Sequence, residues 1–251
     1  MRLEAGMVKV ERLYFNKNQE HLKIVQLSDI HIDMLKVPVK KIIAVLNLEA
    51  PDLVIVTGDY IRKPSQAGRF LEFLSEIKDN RNFYLCLGNH DFDAFQNDKE
   101  GLADFINRIE KLGVKVLNNR SLCIAKNQKI YNIIGISDLL KGNVDINEAL
   151  KGCDCNASFN IAISHCPDVI FDIPQGTVDF LFTGHYHGGQ IWNPFGLELK
   201  YLEDGRLYKT GIKQGSHKVN GINLYINRGL GNEKLPFRFL ARPEITVFYL
   251  P

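Results

Sequence analysis

No stretch of the 251 residues approaches the roughly 20 apolar residues that a membrane-crossing helix needs. The longest runs, such as Leu53 to Val56 and Ile161 to Ile163, are strand-sized and stop at polar residues. The start, MRLEAGMVKVERLYF, lacks the apolar core of a signal peptide, so a cytoplasmic location is expected, with peripheral contact at the inner membrane left open. Cysteine is sparse. The five residues are odd in number, scattered, and form no Cys-x-x-Cys pair, which excludes a disulfide framework. Cys153 and Cys155 read as reduced thiols in a loop rather than as a metal site. An excess of one charge is also missing: Lys plus Arg number 31 against 29 Asp plus Glu, a net +2. That balance excludes a general binder of nucleic acid or acidic surfaces. There is no internal repeat, low-complexity tract or Pro/Ser-rich linker, so residues 1–251 read as one domain.

What is present is an ordinary globular composition, 45% hydrophobic and 24% charged, with order in its patterning. Val39, Ile42, Ile43 and Leu46 follow helical spacing behind Pro38, a residue suited to the first helical position. Phe70, Phe73, Leu74 and Ile77 repeat that spacing, as do Leu102, Phe105, Ile106 and Ile109. Strand-like runs lie between them: Ile24 to Leu27, Leu53 to Val56 and Phe83 to Leu87. This alternation predicts an α/β sheet with parallel neighbours. After residue 113, short β-like runs crowd together (Val114–Leu117, Leu122–Ala125, Tyr131–Ile134, Asn160–Ile163, Phe180–Phe182, Asn223–Ile226, Ile245–Tyr249), which predicts a second, more mixed sheet packed on the first.

Five strand-like runs each end in potential metal ligands. IVQLSDIH supplies Asp29 and His31, LVIVTGD supplies Asp59, and FYLCLGNHD supplies Asn89, His90 and Asp91. NIAISH supplies His165, and DFLFTGHYH supplies His185 and His187. Of the seven histidines only His21 and His217 lie elsewhere. In open α/β sheets, ligands bind beyond the carboxyl ends of the strands, so these groups are expected to converge on one site. Each motif alone has a plain reading as a capped turn. In extended backbone, His185 and His187 would point the same way.

Taken in order, Asp29-Ile30-His31, Gly58-Asp59, Gly88-Asn89-His90-Asp91, His165 and Gly184-His185-Tyr186-His187 resemble the calcineurin-like metallophosphoesterase superfamily. The resemblance implies a two-sheet mixed β-sandwich flanked by helices. It implies two divalent metal ions: Asp29, His31 and His187 on the first, Asn89, His165 and His185 on the second, and Asp59 between them. Mn is the expected ion, and the same mixture of imidazole and oxygen donors accepts Fe, Zn or Co. Two divalent ions outweigh the charges of Asp29 and Asp59 and leave a cationic hole suited to a phosphate ester. Attack would come from a metal-bridging hydroxide. The resemblance makes His90 a catalytic donor to the leaving group or transition state. Asp91 would hold the His90 ring, or alternatively cap the following turn.

The Asp-Arg-Gly of the family's protein phosphatases is missing after Gly58-Asp59-Tyr60. Gly184-His185-Tyr186-His187-Gly188-Gly189-Gln190 instead resembles a bacterial subgroup that includes phosphodiesterases, with Tyr186 in place of the usual Thr. A tail of Asn227-Arg228-Gly229-Leu230-Gly231, Pro236-Phe237-Arg238 and Arg242-Pro243-Glu244-Ile245 is similar too. The expected activity is phosphodiester hydrolysis on a small-molecule or lipid-linked substrate. The alternatives are a pyrophosphohydrolase acting on a UDP-linked lipid such as UDP-diacylglucosamine, and a non-catalytic metal-binding scaffold. Trp192 and Phe195 form either an apolar lip for an acyl chain or base, or part of the core. Arg228, Arg238 and Arg242 either meet a substrate phosphate or form surface salt bridges.

Overall fold

The computed structural model describes residues 4–15, 22–190 and 205–251. Its strands are β1 (Lys9–Tyr14), β2 (Leu22–Ser28), β3 (Leu53–Thr57), β4 (Phe83–Cys86), β5 (Lys115–Val116), β6 (Arg120–Lys126), β7 (Lys129–Gly135), β8 (Phe159–Ile163), β9 (Phe180–Thr183), β10 (Gly215–Val219), β11 (Ile222–Ile226) and β12 (Glu244–Leu250). The helices are α1 (Val39–Glu49), α2 (Ala67–Lys78), α3 (Asn89–Ala94), α4 (Lys99–Lys111), α5 (Ile146–Leu150) and α6 (Arg206–Lys209). The strands form two six-stranded sheets, in the orders β1-β12-β2-β3-β4-β5 and β10-β11-β9-β8-β7-β6. β2, β3, β4 and β5 run parallel, as do β7, β8, β9 and β11.

The period-two alternation of strands sorts their side chains between layers. Ile24, Ile55 and Tyr84 of the first sheet meet Ile133, Ile161, Ile163 and Phe182 of the second in a shared interior. The intervening residues Val25, Leu27, Val54 and Val56 face the other way and pack with Ile42, Leu46, Phe70 and Phe105 of the helices. On the far side, Ile134, Ala162 and Leu181 pack with Ala149, Val169, Ile170 and Leu207. Central strands covered on both faces must be apolar at every position, and so β3 reads as an unbroken run. The result is a two-sheet sandwich flanked by helices, as expected.

Three details differ from expectation. Pro38 caps α1 in extended conformation rather than occupying its first turn. The pattern of short runs places Val114–Leu117 and Ile245–Tyr249 in the second sheet, yet β5 and β12 belong to the first. An apolar run reports burial, not which sheet buries it. β12 inserts between β1 and β2, parallel to the former and antiparallel to the latter. The third is β1, which is not among the strand-like runs: KVERLY is half polar, as an edge strand beside β12 can be. Among the described residues, no helix is long and apolar enough to cross a membrane.

Candidate metal centre

The five motif blocks leave β2, β3, β4, β8 and β9 at one edge of the sandwich. Asp29, His31, Asp59, His185 and His187 all take positive φ, between 37° and 73°. Left-handed backbone is costly for residues with a side chain, at about 1–3 kcal/mol each, and it persists at sites where surrounding structure enforces it. The enforcement is visible here. Asp29 N donates to Gly58 O (3.1 Å), His31 N to Asp59 O (2.9 Å) and Gly184 N to His165 O (3.1 Å), so each turn is tied to its neighbour.

Two of the glycines are there for close approach. A Cβ at Gly88 would lie 2.2 Å from Asp59 Oδ1, and one at Gly184 would lie 2.3 Å from Asp29 Oδ2. The residue before the ligand in these two motifs is thus small because a ligand from another strand packs on it.

The side chains converge. Asp29, His31 and His187 bring ligand atoms within 4.8 Å of one another, and so do Asp59, His165 and His185. His31 Nε2 lies 3.2 Å from His187 Nε2, and His187 Nε2 lies 3.4 Å from Asp29 Oδ1. In the other group, His165 Nε2 lies 3.2 Å from both Asp59 Oδ2 and His185 Nδ1. Asp59 Oδ2 also stands 3.6 Å from His31 Nε2, so this carboxylate joins the two groups. His90 forms a third such group with His31 and Asp59, nearer the ligands than a residue merely flanking them. His185 and His187 do not point the same way. Their positive φ values turn one ring to each group, which corrects the extended-backbone expectation.

These residues fit a pair of cations. His165 is set by Thr57 O, 2.9 Å from its Nδ1, which makes Nδ1 the donor and turns the Nε2 lone pair inward. Asn89 Oδ1 is buried without a hydrogen-bond partner, and so is His31 Nδ1. An orphaned buried amide oxygen beside carboxylates and imidazoles is the donor set that a divalent ion satisfies. Burial drives His31 and His187 well below the ordinary histidine value and His185 to about 3, which keeps these rings neutral, the form in which imidazole ligates a metal. His165 goes the other way: burial lowers it, but Asp59 alongside outweighs that. Asp59 is held well below the usual carboxylate range, with burial opposed and overcome chiefly by His165. Burial pushes Asp29 up to about 7, against the nearby His165 charge.

Asp91 does not hold the His90 ring. One of its oxygens accepts from Tyr60 N (2.8 Å) and Ile61 N (3.1 Å), the other from Asp59 N and Gly88 N (both 2.9 Å). It is the cap of the two readings, and it ties the Asp59 turn to the start of α3. Besides Asp59, the acid near the His90 ring is Glu233, with Oε1 3.9 Å from Nε2. Asp91 rises to about 7, through burial first and then the nearby Asp59, against the amides that favour its charge.

The tail arginines match neither expectation fully. Arg238 is completely buried, and its guanidinium donates to the carbonyls of Arg228, Ala241 and Gly231, with Nη2 3.1 Å from His187 Nδ1. Arg228 pairs with Glu244 and Glu11, and Arg242 caps Met7 O and Val8 O. Tyr186 is buried, and its hydroxyl donates to Asp168 (3.0 Å) rather than facing the ligands. Gln190, quoted in the sequence only as the end of the Gly184–Gln190 signature, turns out to hold the tail: its amide nitrogen donates to Leu235 O and Phe237 O, and its amide oxygen accepts from Glu233 N. Sequence reasoning passed over Asp138, a fully buried carboxylate beyond β7 at the same edge. Its signal was the same as for the others, an acid after an apolar strand. Trp192 and Phe195 lie outside the described residues.

The match to the family model for calcineurin-like phosphoesterases spans residues 22–189, which is most of the chain and every ligand named above. The chain belongs to this family. It is a metal-dependent phosphoric ester hydrolase. It is 34% identical to the uncharacterized metallophosphoesterase YkuE of Bacillus subtilis, over 91% of this chain and 78% of that one. It is 28% identical to the UDP-2,3-diacylglucosamine pyrophosphatase LpxG of Chlamydia trachomatis, over 97% of this chain and 89% of that one. It is 26% identical to the phosphodiesterase YaeI of Escherichia coli, over 97% and 87%.

Proposed function

We propose that this enzyme hydrolyses phosphodiester bonds at a dinuclear centre held by Asp29, His31, Asp59, Asn89, His165, His185 and His187. The position of Asp59 Oδ2, within 3.6 Å of one ligand group and 3.2 Å of the other, carries this reading. A shared carboxylate is what a two-ion site needs and a one-ion site does not. When bound, two divalent ions supply Lewis acidity toward the phosphoryl oxygens and a water acidified to near neutrality. Mn is the ion we assign, with Fe, Zn and Co suited to the same donors.

The chain's own groups do the rest. The mouth is a cavity of about 440 Å³ lined by Asp59, Asn89, His90, His185, His187 and Leu140, among others, which is room for a phosphate and one arm of its ester. His90 lines that cavity, and its backbone N–H donates to Asp59 Oδ1 (3.0 Å), so its ring is anchored beside the reacting phosphate. Its role is to give a proton to the departing alkoxide. Asp91 is a positioning residue that keeps the Asp59 and His90 turns in register. Pyrophosphate cleavage of a UDP-linked lipid is the second reading, favoured by the similarity to LpxG along nearly the whole chain. The test is turnover of bis-p-nitrophenyl phosphate after chelation and after Mn is restored. Chelation should remove activity and Mn should return it at least 100-fold. Turnover that ignores chelation would contradict the metal-dependent proposal, and no turnover with Mn, Fe, Zn or Co would return the scaffold reading.

A further inference from the structure

Beside the metal mouth lies a second cavity, of about 460 Å³, between α3, α4 and the loop after β7. Two elements carry both. Asn89 and His90 at the start of α3 line the mouth, and Phe92 and Asp93 on the same helix line the groove. Leu140 lines the mouth and Lys141 lines the groove. With a rise of ~1.5 Å per residue, Asp93 stands only about 6 Å along the helix from Asn89. That is about the span from a nucleotide's phosphorus to the base-bearing end of its sugar.

The groove has a fixed wall. Buried Asp138 accepts from Leu140 N and Lys141 N (both 2.9 Å), and its carbonyl accepts from Gly142 N (3.0 Å). A Cβ at Gly142 would meet Ser137 Oγ at 2.2 Å, so the loop lies tight on the strand end. Asn119 Nδ2 donates to Asn143 O (2.5 Å) and ties down the far side. Lys99 and Lys141 line this space from its exposed rim, with Asp93 3.1 Å from Lys141 Nζ, so the lining carries one positive charge in excess. Phe92 and Leu102 offer flat apolar surface, and Gln96 and Asn143 offer amides. An acyl chain has no use for two ammonium groups and two amides. A planar base with hydrogen-bonding edges, joined to a phosphate, uses all of them.

We propose that this groove binds the nucleoside monophosphate arm of the substrate while the scissile phosphate sits at the metal ligands. The assignment deepens the function proposed above and rests on it. Uridine 5′-monophosphate titrated into the metal-loaded enzyme should bind about tenfold more weakly in the Lys99→Ala/Lys141→Ala variant, the scale of a lost charge-assisted hydrogen bond. Inorganic phosphate, which lacks the sugar and base and has the metal end as its stronger site, should change affinity less than twofold between the two proteins, and Lys141→Arg should retain the nucleotide. The double variant should keep its bis-p-nitrophenyl phosphate kinetics within twofold, since that ester has no nucleoside arm. Unchanged nucleotide affinity in the double variant, or a wild-type enzyme that binds phosphate as tightly as the nucleotide, would overturn the groove assignment alone. Loss of metal-dependent turnover in the wild type would instead overturn the reading beneath it.

Discussion

Asp59→Asn is expected to lower kcat/KM on bis-p-nitrophenyl phosphate by about 10³-fold or more and to reduce bound metal from two ions to about one. Among the described residues, the Asp59 carboxylate stands against both ligand sets, 3.6 Å from His31 and 3.2 Å from His165. Its carboxylate stays charged because His165 overcomes the effect of burial. Asparagine keeps the size but loses that charge and one of the two oxygens. Lewis-acid stabilisation is worth several kcal/mol, and each 1.4 kcal/mol is a factor of ten. The turn should survive, since Asp91 holds the backbone amide of residue 59 rather than its side chain. Elemental analysis of the purified variant, with circular dichroism to show folding, checks this. A folded variant that keeps two ions and a tenth of its activity would mean that Asp59 bridges nothing.

His90→Ala is the second large effect: a loss of about 10²–10⁴ in turnover, the range of general acid–base catalysis. The loss should grow as the leaving group worsens, from p-nitrophenolate toward an alkyl alcohol, because only a poor leaving group needs the proton. Two metals should remain. That last measurement discriminates, because His90 also stands within ligand distance of His31 and Asp59. If the variant arrives with one ion, His90 is a ligand and not the acid. The side chain is 28% exposed, so the substitution removes no core packing that could confuse the result.

Much of this site could be read before any coordinates. Strand-sized apolar runs that end in Asp, Asn or His state both a secondary structure and a location, because parallel neighbours deliver their ends to one edge. The helices were equally plain, since Ile42, Leu46, Phe70 and Phe105 repeat at the spacing that buries one face. What escaped was long-range. Nothing local in Ile245–Tyr249 says that it will separate β1 from β2. Nothing in His185-Tyr186-His187 announces two left-handed turns, which exist because neighbouring strands tie the loop down. Arg238 was legible as a cation but not as one sealed among three backbone carbonyls beside His187. Asp91 offered two partners in sequence, its neighbouring ring or the backbone, and four amide donors decided between them.

Crystals grown with Mn and measured at its absorption edge test the central claim most directly. Two anomalous peaks about 3.5–4 Å apart are predicted, one among Asp29, His31 and His187, the other among Asn89, His165 and His185, with Asp59 touching both. A single peak, or two that share no side chain, would contradict the dinuclear account.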